Sequence, residues 1–183
     1  SDMPSDIRPP EMRAEGFHIL TLGYLSRRKG QAIAIEALER LGRENVHLHL
    51  LGSSATAPSE AEGIRNQVEK SDFLRRHVHF HGSRPQSQVI DFLAHGDVFL
   101  FPTLDDLLSI SILEAMSQKL CVISTDMGAI PELVVDGETG LLFRKLDPVA
   151  LAEKLARVID DPAGRIRMGE AGYQAARQRH DFE

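Results

Sequence analysis

The chain has no tryptophan, a single cysteine, and only two tyrosines and eight phenylalanines among its 183 residues. So thin an aromatic stock argues against a base-stacking platform and against an aromatic cradle for a sugar ring. One cysteine excludes an internal disulfide. Cys121 lies in the apolar run Leu120–Ile123, which reads as a buried strand thiol rather than a nucleophile. No apolar run approaches the roughly eighteen residues of a membrane-spanning helix, and no signal peptide is visible. An excess of positive charge is also missing. The formal net charge of −6 repels nucleic acid and anionic membrane alike.

What is present suits one α/β domain. Hydrophobic residues make up 42% and charged residues 26%, ordinary values for a chain able to bury a core. Residues 1–16 are polar and carry Pro4, Pro9 and Pro10, so they read as a linker or tail, with Ser1-Asp2-Met3 as an appended scar. Residues 17–183 read as the domain. Short apolar runs at Phe17–Leu22, Val46–Leu51, Val78–His81, Asp97–Phe101, Leu120–Ser124 and Gly140–Phe143 predict six strands. Between them, three-and-four spacing predicts helices over Lys29–Leu41, 59–74, Gln86–Ala94 and Ser109–Lys119, with closing helices over Pro148–Ile159 and Arg165–Arg179. Pro131 suits the first turn of a short helix. Most strands lack polar–apolar alternation, as in a parallel sheet covered on both faces, so the expected fold is a doubly wound, Rossmann-like sheet of about six strands. Ligands then sit at the carboxyl ends of the strands, in the loops after Leu22, Leu51, Phe80, Phe101 and Ser124.

Three of those loops carry candidate chemistry. Gly23-Tyr24-Leu25-Ser26-Arg27-Arg28-Lys29-Gly30 leaves a strand and opens a helix, offering free N–H groups and a mobile cation for a diphosphate. The same loop reads equally as a solvated basic turn. The loop after Phe101 holds Asp105 and Asp106, and the following helix holds Glu114. Asp106 and Glu114 can border one cleft and accept hydrogen bonds from sugar or ribose hydroxyls. By residue type alone, helix capping is the stronger reading of the two aspartates. Asp126–Glu132 is a further strand-to-helix turn that could face an anion. His47 and His49, and then His77, His79 and His81, alternate along two strands. Same-face spacing raises zinc, but with no cysteine beside them ordinary strand histidines are preferred.

In series, Gly23…Lys29-Gly30, Phe80-His81-Gly82, Asp97–Thr103, Leu113-Glu114-Ala115-Met116, Ser124–Val134 and Asp136–Leu142 resemble the C-terminal domain of retaining GT-B glycosyltransferases of the group 1, or family 4, type. The resemblance runs from about Phe17 to His180. It implies a donor-binding domain that takes a UDP-, GDP- or ADP-sugar, needs no cofactor or metal, and works with an N-terminal acceptor-binding domain absent from this chain. The implied activity is transfer of a hexose with retention, in making a polysaccharide, glycolipid or glycoconjugate. The implied setting is cytoplasmic, with any membrane contact running through the absent half and none with nucleic acid. Lys29 is implied to hold the diphosphate, Asp106 to face the sugar, Glu114 to hold the ribose. Gly23, Arg28, Gly82, Ser83, Arg84, Leu108, Ser109 and Ile110 are implied to frame the donor.

The chain also departs from that pattern. Tyr24 stands where the family usually has an arginine, removing a bidentate phosphate clamp that Arg27 or Arg28 would have to replace. Asp106-Leu107-Leu108-Ser109 replaces Glu-Gly-Phe-Gly, which loses two glycines and shortens the acid; Leu107 could crowd the sugar. These changes favour an alternative, a catalytically degenerate module that scaffolds a larger synthase. A sugar-nucleotide epimerase of the same architecture is a third reading. On any of them, the isolated domain is expected to transfer sugar poorly or not at all.

Overall fold

The structure, a computed structural model, describes residues 3–12, 15–106 and 109–179. Strands β1 (Phe17–Leu22), β2 (Val46–Leu51), β3 (Val78–Gly82), β4 (Val98–Phe101), β5 (Cys121–Thr125) and β6 (Gly140–Phe143) form one sheet in the order β3-β2-β1-β4-β5-β6. All five pairings are parallel. The fold is therefore the doubly wound α/β sheet expected from the pattern.

Period-two strands between two helical layers need apolar residues on both sides, and the core divides accordingly. Ile19, Leu48, Leu50, Val98, Leu100, Ile123 and Leu141 face one layer, built by α1 (Gln31–Leu41), α2 (Pro58–Glu69), α3 (Asp72–His77) and α7 (Pro148–Asp160). Leu20, Phe99, Phe101 and Val122 face the other, built by α4 (Gln86–His95), α5 (Ile110–Ser117) and the short α6 (Ile130–Leu133). The last helix, α8 (Pro162–Arg179), gives Met168 to the first layer and Ala176 to the second. Full burial of each such Leu, Ile or Phe contributes about 1.5–3 kcal/mol. Pro131 does stand in the first turn of α6.

Three differences from the expected elements have local causes. The helix expected over 59–74 is two helices, because Ser71 is extended and its hydroxyl caps α3 by accepting from the Leu74 N–H. The first helix starts at Gln31 rather than Lys29. Arg27–Lys29 form a 3-10 turn first, closed by Gly30 at φ 75°. Gly30 is required twice over, since a Cβ there would also overlap the Pro102 carbonyl. Finally, the stretch read as a linker or tail packs on the domain. Pro10–Met12 make a 3-10 turn, Met12 is fully buried in the second core layer, and Ser5 N–H donates to Asp91 on α4 at 2.7 Å. Met12 burial, the Ser5–Asp91 hydrogen bond and the Glu11–Arg84 ion pair together make the segment a strap.

Candidate functional site

Strands β1 and β4 are neighbours, but the chain leaves β1 toward β2 and leaves β4 toward β5, on opposite sides, so the topological switch, where a crevice is expected, lies at their carboxyl ends. There lies a cleft of about 370 Å³. Its lining comes from the loop after β1 (Gly23, Tyr24, Lys29), the loop after β3 (Ser83, Arg84) and the start of α5 (Ser109, Ser111, Glu114). Gly52, at the end of β2, completes the floor. It packs so closely on Gly23 that a Cβ would strike the Gly23 carbonyl. The volume is in the range of small-ligand sites.

Lys29 crosses the glycine of its own loop: a Cβ on Gly23 would lie 3.4 Å from Lys29 Cδ. Its ammonium stands 5.6 Å from the Tyr24 ring centroid and 3.0 Å from Asp106 Oδ2. Opposite, Glu114 Oε1 accepts from Gln86 Nε2 at 2.5 Å, which holds the carboxylate across the crevice. Ser111 lies three residues before Glu114, hence on the same face of α5. Arg84 reaches the cleft but is tied back, donating to His81 O and Gln88 Oε1 and pairing with Glu11 at 2.9 Å.

Of the residues expected to frame a donor, Gly23, Lys29, Ser83, Arg84, Ser109 and Glu114 meet at this cleft. Gly82 does not line it; its carbonyl accepts from Gly52 N–H and completes the strand edge. Arg28 turns away. Its Nε donates to Asp105 O, and its guanidinium stands 3.7 Å from both aspartates. Arg27 lines a separate groove with Glu60, so neither arginine lines the cleft. Ile110 begins α5 and is 75% exposed. Leu107 and Leu108 lie outside the described residues. Asp106 is not on the cleft wall but pairs with Lys29, which is. Capping does not explain it, because the cap of α5 is Ser109, whose Oγ accepts from Ser111 N–H. No residue of 126–132 lines the cleft, although that turn was a candidate anion site. Gln86, Val89, Ser111 and Gly52 were not anticipated. Helical spacing from Glu114 was the available signal for Ser111.

The histidines form a ladder of ring-to-ring hydrogen bonds. His18, which the sequence reading left out, completes it from β1. Its Nδ1 meets His49 Nε2 at 2.9 Å, His49 Nδ1 meets His81 Nε2 at 2.9 Å, and His47 Nδ1 meets His79 Nε2 at 3.0 Å. Each contact needs one nitrogen protonated and one bare, so a run of neutral rings satisfies them head to tail. Burial first, and then repulsion that any charge on the neighbouring imidazoles (for His81, the Arg84 guanidinium) would add, push His49 down to about 2 and His79 and His81 to about 4. Among the described residues, no three His, Cys, Asp or Glu side chains are arranged to hold a metal ion. Burial likewise pushes the Cys121 thiol up to about 12, which suits the buried strand thiol.

A second cavity, of about 330 Å³, lies under the N-terminal strap between Arg8, Glu11, Arg84 and Asp91. It receives none of the residues of the glycine–lysine loop. Among the described residues, no helix is long and apolar enough to cross a membrane.

The family model for glycosyl transferases group 1 matches residues 2–175. The alpha-maltose-1-phosphate synthase of Mycobacterium tuberculosis is 33% identical over 160 residues, covering 84% of this chain and 41% of that protein. The C-terminal domain of a glycosyl transferase group 1 family protein from Francisella tularensis has the same fold, with a TM-score of 0.85 at 22% identity over 100% of this chain and 97% of that one. Anabaena HepE, solved in complex with UDP-glucose, matches at a TM-score of 0.85 and 24% identity over 91% of this chain and 45% of that one. The chain spans about two fifths of the length of the curated relatives it matches.

Proposed function

The chain belongs to the group 1 glycosyl transferase family, and from that premise we propose that it is the donor-binding domain of an enzyme that moves a hexose from a nucleoside-diphosphate sugar to a saccharide, lipid or other acceptor with retention of configuration. The observation that carries the reading is the placement of Lys29 and Glu114 on one cleft at the β1/β4 switch, with Gly23 and Gly52 leaving its floor bare. In this reading Lys29 meets the diphosphate and Glu114 the ribose hydroxyls. A departing diphosphate needs its growing charge stabilised, which a fixed ammonium and helix-end N–H groups supply without a metal ion. HepE, solved with UDP-glucose, supports a nucleotide-sugar as the ligand class.

Such a domain faces its acceptor through another, N-terminal, domain, in keeping with the two fifths of its relatives that it spans. Alone it binds donor and transfers sugar poorly. We place the whole enzyme in the cytoplasm, with any membrane contact through that other domain. A second reading, a degenerate module that scaffolds a larger synthase, draws on Tyr24, on Arg27 and Arg28 turning away from the cleft, and on the engagement of Lys29 by Asp106.

Calorimetric titration with UDP, GDP, ADP and their sugars, wild type beside Lys29→Ala and Glu114→Ala, separates the two. Selective binding weakened by both substitutions supports the donor site and identifies the base. No binding at millimolar ligand to a folded chain sinks it.

A further inference from the structure

The cleft's lysine is already engaged. Lys29 Nζ stands 3.0 Å from Asp106 Oδ2, with the two side chains only 18% and 16% exposed. The same oxygen accepts the Thr103 hydroxyl at 2.6 Å, and Asp106 Oδ1 lies 3.7 Å from the Arg28 guanidinium. Thr103 is fully buried, and its carbonyl accepts from the Thr125 hydroxyl at 2.9 Å. Leu104 N–H donates to Arg28 O at 2.9 Å, and Gly30 lies against the Pro102 carbonyl. The two loops are therefore zipped together, and the carboxylate is delivered to the lysine by a braced backbone rather than by a wandering surface side chain. Little solvent reaches this pair, so salt screens it less than an exposed one.

We infer that Asp106 is an internal competitor for Lys29: its carboxylate occupies the ammonium that a donor's diphosphate requires, and release of Lys29 from Asp106 is a step of donor binding. The inference rests on the donor-site reading above. A carboxylate brings one negative charge and a diphosphate more than one, so the ligand can win the lysine. Its apparent affinity is then reduced by the fraction of molecules in which Lys29 is released. The alternative role, Asp106 orienting Lys29 toward the ligand, predicts the opposite sign, because loss of the orienting charge would weaken binding.

The test is calorimetry on this chain with inorganic pyrophosphate, with the tightest of UDP, GDP and ADP, and with the matching free nucleoside. Wild type is compared with Asp106→Asn, Asp106→Ser, Lys29→Ala and the Lys29→Ala/Asp106→Asn double variant. Circular dichroism melts establish that each is folded, and the serine variant serves if the asparagine one is not. The expected result is pyrophosphate and nucleotide binding tightened by about tenfold in the Asp106 variants, as for a lysine released in roughly one molecule in ten, with the nucleoside unchanged. The gain disappears in the double variant. Unchanged or weaker pyrophosphate binding in the Asp106 variants overturns the inference while a Lys29-dependent wild type leaves the donor site standing. A gain that survives in the double variant also overturns it, by showing a general charge effect. No binding to any folded form overturns the donor site and the inference together.

Discussion

Lowering the pH from 7.5 to 5 should destabilise this domain by about 4–6 kcal/mol, through the histidine ladder. In the unfolded chain each imidazole titrates near 6.5. In the folded chain burial holds His79 and His81 near 4 and His49 near 2. The folded pKa values are depressed, so below pH 6.5 the unfolded state binds more protons. Stability is then complete above that pH and falls as pH drops toward 4. Each ring loses about 1.36 kcal/mol per pH unit, or roughly 2 kcal/mol between pH 6.5 and 5. These three rings make about 6 kcal/mol, the lower figure allows for the solvent that reaches His79 and His81, and His47, also lowered by burial, adds in the same direction. That is comparable to the whole stability of an ordinary domain, about 5–15 kcal/mol. The carboxyls of Glu11, Asp160 and Glu170 are all held below their ordinary values, so they titrate below this window. The assay is urea unfolding at half-unit steps from pH 7.5 to 5, whose slope counts the protons taken up on unfolding. A slope of about three protons or more near pH 5 is expected, and about one fewer in His79→Gln. A change under about 1 kcal/mol over the whole range, or an unaltered slope in His79→Gln, would refute neutral packing of the ladder.

Glu114→Gln should weaken nucleoside diphosphate binding by about tenfold or more, as loss of a hydrogen bond to a charged group does, while pyrophosphate binds as before; calorimetry with both ligands checks it. Met12→Ala should cost about 2–5 kcal/mol in urea unfolding, since its side chain is fully buried; a cost below about 1 kcal/mol would mean that the strap is not part of the core. The Cys121 thiol, raised to about 12 and buried, should not react with a disulfide reagent at pH 8 in native buffer and should react at once in urea.

Much of the fold is legible from short stretches of chain. The six strands lie within a residue or two of their apolar runs, because burial on both faces leaves a compositional mark that needs no partner to be seen. The position of the cleft was legible as well, since alternating strands and helices oblige a doubly wound sheet to open at its carboxyl edge. Gly23, Lys29 and Glu114 reach that edge because each sits at a strand end or on the first turns of the next helix.

What the sequence alone could not decide depends on which strands lie side by side. Lys29 follows β1 and Asp106 follows β4. They are 77 residues apart and touch only because the sheet order makes β1 and β4 neighbours. His18 joins histidines of β2 and β3 for the same reason, and direct contact between ring nitrogens links them into a hydrogen-bonded ladder. Met12 is buried because α4 and the sheet leave room for it, a fact no local pattern records. Periodicity is a property of neighbours in the chain and was readable there. Pairing between loops is a property of neighbours in space, and only the tertiary structure decided it.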